Sequence, residues 1–390
     1  MTEDAVRIGF IPLVDAAAVI VAADKGFAAE QGLTIELVRE VSWSNVRDKL
    51  NIGVFDAAHL LAPLAIASSL GIGHVKVPLL APFMLGLNGN AITLSPGLYG
   101  ELTAAATGGL DDPAVSAQAL SRVVAERRRR GAEPLTFGMT FPFSTHNYQI
   151  RFWMAAGGLD PDEDVRLVVL PPPYMVDSLA SGQVDGFCVG APWNAVAVKL
   201  GVGRIVHLGC DIAARAPEKV LAVRAAWAAD RPGALDRLLR ALARAADFVN
   251  DPAHESEVVA AIAAPGRIDV APEIIRDTLK GRIRMAPQGD VRSDRDYILI
   301  GRDGAARPLP VQAAWLYAQM VRWNQTVLSA DGLAAATACF RSDLYDATMF
   351  TTASATAALR PSAGVRTFTG PPFDADDIAG YVEASRRHGR

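Results

Sequence analysis

The sequence predicts an α/β protein built in two lobes, and three observations carry that prediction. Short apolar runs of strand length alternate with segments of helical periodicity, the connections between them are short, and the strands are apolar enough to be covered on both faces. The chain of 390 residues also exceeds the roughly 250–300 at which one core stops growing. With 51% hydrophobic and 21% charged residues, 33 Gly and 24 Pro, the composition is that of a globular protein and excludes disordered and fibrous classes.

In chain order, strands are expected at 6–12, 33–39, 55–61, 75–85 and 91–94. Helices are expected at 16–25, stopped by Gly26, at 42–52 behind a serine cap, and at 63–70 before Gly71. These elements read as parallel α/β units. The stretch 95–133 has Gly/Pro punctuation and then a helix ending in Arg127 to Arg130 and Gly131. Four consecutive arginines suggest nucleic acid, but cations in a last helical turn complement the helix dipole, and the solvated helix end is favoured. A second alternation follows, with strands at 135–140, 165–170, 185–189 and 204–208 and helices at 145–156, 175–181 and 194–200. Residues 219–224 form another strand, and helix dominates through Asp247. The pattern is irregular over 269–310. Helices resume at 311–325 and 329–339, and the last 30 residues read as a loop and a short terminal helix.

The local sequence with most chemical content is TFPFSTHNYQIRFWMAAGGLD, from Thr140 to Asp160. A strand ends, Ser144 or Thr145 caps a helix, and His146 stands in its first turn. Unpaired backbone N–H groups and the helix dipole favour an anion there, and His146 adds a donor that can become cationic. Taken alone, the histidine reads somewhat better as part of the cap.

A net charge of −4 gives no general attraction for nucleic acid or anionic membrane. Cys188, Cys210 and Cys339 are odd in number and far apart, which fits buried thiols in a reducing compartment better than a disulfide framework. The acidic start, MTEDAV, lacks the basic and apolar regions of a leader, so a cytoplasmic location is expected. The longest apolar stretch, 60–70, is broken by Pro63 and two serines and is too short to span a bilayer. No nucleophile elbow, Walker loop, HExxH or CxxC occurs. The six histidines lack metal-ligand spacing, so no enzyme activity, cofactor or metal is expected.

Seven ordered segments resemble the nitrate- and bicarbonate-binding proteins of the NrtA/CmpA type. They are GFIPLVDAAAVIVAADKGFAAEQGL, VSWSNVRDKL, FDAAHLLAPL, LNGNAI, TFPFSTHNYQIRFWMAAGGLDPD, VVLPPPYMVDSLASGQVDGFCVGAPWNA and PEKVLAVRAAW. The likeness is close over about 6–245 and looser beyond. It implies a type II periplasmic-binding-protein fold, with residues 1–97 and 217–390 in one lobe, 98–216 in the other, and a ligand cleft between. It further implies an oxyanion site carried by Trp43, Asn90, His146, Gly190 and Lys219, with Asn90 standing where relatives often have glutamine. Such donors suit a planar monoanion.

Two departures bear on the ligand. Ala191 stands where relatives commonly have glutamate. Bicarbonate has a hydroxyl that benefits from an acceptor, whereas nitrate and nitrite have none, so Ala191 tilts the expectation toward nitrate or nitrite. Phe143 and Ser144 replace two glycines, which places a ring where it either narrows the pocket or packs beneath it. Together with the bare N-terminus, the resemblance points to the cytoplasmic NasS-type branch: a nitrate/nitrite sensor that holds a NasT-type antiterminator and releases it on ligand binding, without touching nucleic acid or membrane itself. A receptor of an ABC transporter whose leader has been removed is the alternative, and an enzyme on the same scaffold ranks third.

Overall fold

The structure is a computed structural model that describes residues 4–289, 291–350 and 365–387. The parts of the expected C-terminal loop and helix at 361–364 and 388–390, His388 included, lie outside these residues. Two compact units are present. Among the described residues, 4–87, 217–276 and 298–350 form the first, and 88–216, 277–297 and 365–387 the second.

The first unit is organised on a six-stranded sheet of β1 (Asp4–Phe10), β2 (Leu33–Arg39), β3 (Ala57–Leu61), β4 (Leu79–Asn88), β11 (Pro217–Arg224) and β14 (Ile298–Leu299), in the order β14-β4-β11-β3-β1-β2. β1 lies parallel to β2 and β3, whereas β11 is antiparallel to both β3 and β4. Ala17–Asp24 and Pro232–Asn250 pack on each other, and Ala17–Asp24 is apolar on nearly all sides because it is buried on nearly all sides. The caps follow the sequence: Ser42 Oγ accepts from Asn45 N at the start of Trp43–Asn51, and Gly71 closes Ala62–Leu70 in the left-handed region at φ 73°.

The second unit has a five-stranded sheet of β5 (Asn90–Leu94), β6 (Thr136–Met139), β7 (Arg166–Val169), β8 (Gly186–Gly190) and β9 (Arg204–Leu208), in the order β7-β6-β8-β5-β9. β10 (Ala213–Ala214) pairs with β15 (Arg366–Thr367), and β12 (Arg282–Arg284) with β13 (Val291–Ser293). β6 is parallel to β7 and β8, and β5 is antiparallel to β8 and β9.

The expectation of purely parallel sheets is therefore corrected. In each unit the exception is the strand by which the chain enters it: β5 leads into the second unit and β11 returns to the first. The division also differs from the sequence expectation. It falls at 87/88 and not at 97/98, because β5 is hydrogen-bonded to β8 and β9. Residues 277–297 and 365–387 join the second unit, since Ile205 N donates to Met285 O, β15 pairs with β10, and Phe368 N donates to Ile212 O. The arginine run behaves as a solvated helix end. Arg128 pairs with Asp164, Arg129 and Arg130 with Glu126, and Arg127 approaches Glu101 at 3.6 Å. No described helix is long and apolar enough to cross a membrane.

Candidate functional site

The five residues singled out in the sequence fall into two groups, Trp43 and Lys219 in the first unit and Asn90, His146 and Gly190 in the second. Each group is taken in its own unit.

Lys219 lies in β11 with no exposed surface. Its ammonium is 3.1 Å from Asp15 Oδ2, 2.7 Å from Glu218 Oε1 and 5.3 Å from the centroid of the Trp43 ring. Neighbours on a strand ordinarily point to opposite faces. The Glu218–Lys219 ion pair forms where the β11/β4 register shifts between Pro217 and Val220, an irregularity of the kind that re-aims a side chain. Burial alone would lower the lysine pKa, but Asp15 and Glu218 outweigh it and hold the ammonium above its ordinary range.

Register brings in a further histidine. Lys219 pairs with Leu61 and Leu221 with His59, so His59 and Lys219 are diagonal neighbours on one face of the sheet. Asp15 bridges them: Oδ1 lies 2.8 Å from His59 Nε2 while Oδ2 takes the lysine. Burial would raise the Asp15 pKa, but Lys219 and His59 overcome it and bring it down to about 2, so this carboxylate is ionised. Burial dominates at His59 and depresses its pKa below 6.5 despite Asp15. The Trp43 and His59 rings lie 5.5 Å apart, and Trp43 Nε1 and His59 Nδ1 are buried with no hydrogen-bond partner among the described residues. Buried polar atoms of this kind are ordinarily satisfied, and the indole N–H suits a ligand that brings an acceptor.

In the second unit, Ser144 is the cap, its Oγ accepting from Asn147 N at 3.1 Å, and His146 follows in the first turn of Thr145–Ala156. His146 is buried, with Nδ1 3.0 Å from Thr140 Oγ1, which fixes the ring orientation. Asn90 and Gly190 face each other across the β5/β8 register. Asn90 Nδ2 donates to Gln149 Oε1 at 2.9 Å, and Gln149 Nε2 donates to Gly209 O at 3.1 Å, so the residue that differs from the relatives' glutamine is itself oriented by a glutamine one turn beyond His146. A side chain at Gly209 would meet Gln149 Nε2 at 2.8 Å and Asn90 O at 3.0 Å, which makes glycine a requirement for this arrangement. Phe143 is half-buried and packs against Phe141, with ring centroids 6.3 Å apart. Ala191 is buried and its N–H donates to Gly89 O.

Asp15, His59, Glu218, Thr140 and Gln149 were not singled out by the sequence. Asp15 and His59 each stand in a segment where every neighbour is buried, so no periodicity marks their side chains as different. Cys210, Asp211 and Asp294 also lie close together in the second unit, but Arg292 donates to both carboxylates, so their charge is already answered.

The two α/β units are those of the periplasmic-binding-protein fold, and the residues singled out are buried and polar. The structure superposes on the crystal structure of the periplasmic nitrate-binding protein NrtA from Synechocystis PCC 6803 with a TM-score of 0.88, at 27% identity, covering 97% of this chain and 98% of that one. Residues 2–263 match the NMT1-like family. The chain is 31% identical to the nitrate/nitrite binding protein NrtA of Synechococcus elongatus over 388 residues, 97% of this chain and 85% of that protein. It is 32% identical over 323 residues to the nitrate import ATP-binding protein NrtC of Synechocystis, covering 81% of this chain but only 46% of that relative, so it spans about half the length of NrtC. The chain belongs to the NMT1-like family, within its NrtA/CmpA-type nitrate- and bicarbonate-binding group.

Proposed function

We propose that this protein binds nitrate or nitrite through Trp43, Asn90, His146, Gly190 and Lys219, and that it serves as the substrate-binding component of an ABC import system. The observation that carries the binding role is Lys219: a fully buried ammonium beside an indole N–H that has no partner among the described residues. Asp15 and Glu218 keep this lysine charged where it cannot be solvated, and with the indole N–H of Trp43 it offers the cation and donor that a monoanion would take. His146, held by Thr140, and Asn90, held by Gln149, supply oriented polar groups of the same kind in the second unit.

A thermal-shift panel with nitrate, nitrite, bicarbonate, sulfate and taurine tests this. At a ligand concentration a hundredfold above Kd, stabilisation of about 2.7 kcal/mol is expected for nitrate or nitrite and none for taurine. A panel in which only sulfate or taurine stabilises the protein would overturn the assignment. Ala191 is the residue on which the choice of anion rests. Ala191→Glu is expected to weaken nitrate binding by about ten- to a hundredfold, the effect of a like charge a few ångströms away, and to bring bicarbonate in. Calorimetry with both anions, alongside a denaturation midpoint to establish folding, reads this out. Unchanged nitrate affinity in the folded variant would count against Ala191 as the discriminator.

The finer reading, a cytoplasmic NasS-type sensor acting through a NasT-type antiterminator, rests on the sequence resemblance, and the named relatives favour import. Under the sensor reading nitrate weakens partner affinity. A pull-down of the antiterminator that is indifferent to millimolar nitrate removes it.

A further inference from the structure

Asp15, Glu218 and Lys219 sum to one negative charge when His59 is neutral, so a cluster meant to receive an anion is short of positive charge before the anion arrives. We propose that anion uptake at Lys219 is coupled to protonation of His59, so that the site takes in the anion and a proton together. The proposal rests on the anion-binding reading above.

The geometry gives the coupling its direction. Asp15 is ionised and accepts from Lys219 and from His59, so Nε2 of the imidazole carries its hydrogen and Nδ1 presents a lone pair. That lone pair is buried and has no partner among the described residues. Toward nitrate, an acceptor-only anion, it is repulsive, and one proton turns it into a charged donor. The charged and titratable groups around the ring come from two elements: Asp15 from the segment after β1, and Lys219 and Glu218 from β11. The ring of Trp43 closes another side. Burial favours the neutral form of His59 in the free protein. A bound anion adds a negative charge beside it and favours the imidazolium, which raises the histidine pKa in the complex above that in the free protein. By linkage, affinity then strengthens as pH falls through the liganded pKa and levels off below the free one. Nitrate itself does not titrate in this range, so the dependence belongs to the protein.

The experiment is isothermal titration calorimetry of the full chain with sodium nitrate between pH 5.5 and 8, in pairs of buffers that differ in ionisation enthalpy. The expected result is net proton uptake approaching one per nitrate, with affinity rising by up to about tenfold per pH unit on acidification. His59→Gln, which keeps a donor for Asp15 but cannot titrate, is expected to lose both the uptake and the slope; His59→Asn serves the same purpose if the glutamine variant does not fold. Should neither fold, the ring nitrogen resonances of the wild-type protein, assigned to His59 through its contact with Trp43, report whether nitrate protonates it. Nitrate binding with no uptake and flat affinity overturns the coupling alone. Uptake that persists in a folded His59 variant assigns the proton to another group and also overturns it. Absence of nitrate binding at every pH overturns the binding assignment, and the coupling with it.

Discussion

Lys219→Met is expected to abolish anion binding and to destabilise the first unit by about 3–5 kcal/mol, because it removes the cation that answers two buried carboxylates. The two effects are separable. Asp15→Asn and Glu218→Gln, added to Lys219→Met, remove the uncompensated charge and are expected to recover most of the stability while leaving binding absent. Urea denaturation and nitrate calorimetry on the single and triple variants measure each quantity. If the single variant still binds nitrate with wild-type affinity, Lys219 is only an internal ion-pair partner. If the single variant is as stable as the wild type, the carboxylates are not held in their charged forms by the lysine.

Acidification from pH 6.5 to 4 is expected to cost the second unit about 3 kcal/mol through one residue, His207. This imidazole is fully buried, with Nε2 2.6 Å from Ser116 Oγ, and the same hydroxyl accepts from Trp153 Nε1 at 2.9 Å. Burial is the main cause that depresses its pKa to about 4, with Arg292 adding to it and Asp211 opposing. In the unfolded chain the ring is protonated near pH 6.5, before the folded form can be, so the stabilisation is complete above 6.5 and is lost as pH falls toward 4. His59 contributes in the same direction in the first unit. Asp15, with its pKa near 2, adds nothing here, since its contribution disappears only below about pH 3.8. Urea midpoints for the second unit at pH 7, 5.5 and 4.5 follow this loss. His207→Gln should flatten the dependence, and a wild-type midpoint that does not move would refute it.

The two α/β runs, the caps at Ser42 and Ser144 and the stops at Gly26 and Gly71 were legible in the sequence because each depends on a few adjacent residues. Strand direction was not. Apolar character is the same in a parallel and an antiparallel buried strand, so nothing local distinguished β5 and β11 from their neighbours. The same limit applied to residues 277–297, where β12 and β13 are only three residues long, pair with each other, and are tied to the second unit by Ile205 N donating to the distant Met285 O. At the site, the resemblance named Lys219 and Trp43, but its physical content, a lysine held by Asp15 and Glu218 and linked through Asp15 to His59, depends on register between segments about 45, 160 and 200 residues apart in the chain. His146 was ambiguous as a cap residue. The structure gives the cap to Ser144 and leaves the imidazole oriented by Thr140.

The position of β11 in the middle of the first sheet has a consequence for biogenesis. β1, β2, β3 and β4 are complete at residue 88, but the strand that lies between β3 and β4 follows only after residues 88–216 have been made. At about 5–20 residues per second that is a delay of roughly 6–26 s, during which the nascent sheet has a gap at its centre. Asp15 waits in that interval without the lysine that answers its charge. Lys219 thus arrives with the strand that joins the two halves of the sheet, and the cation proposed to receive the anion is installed by the same step that completes the fold of the unit.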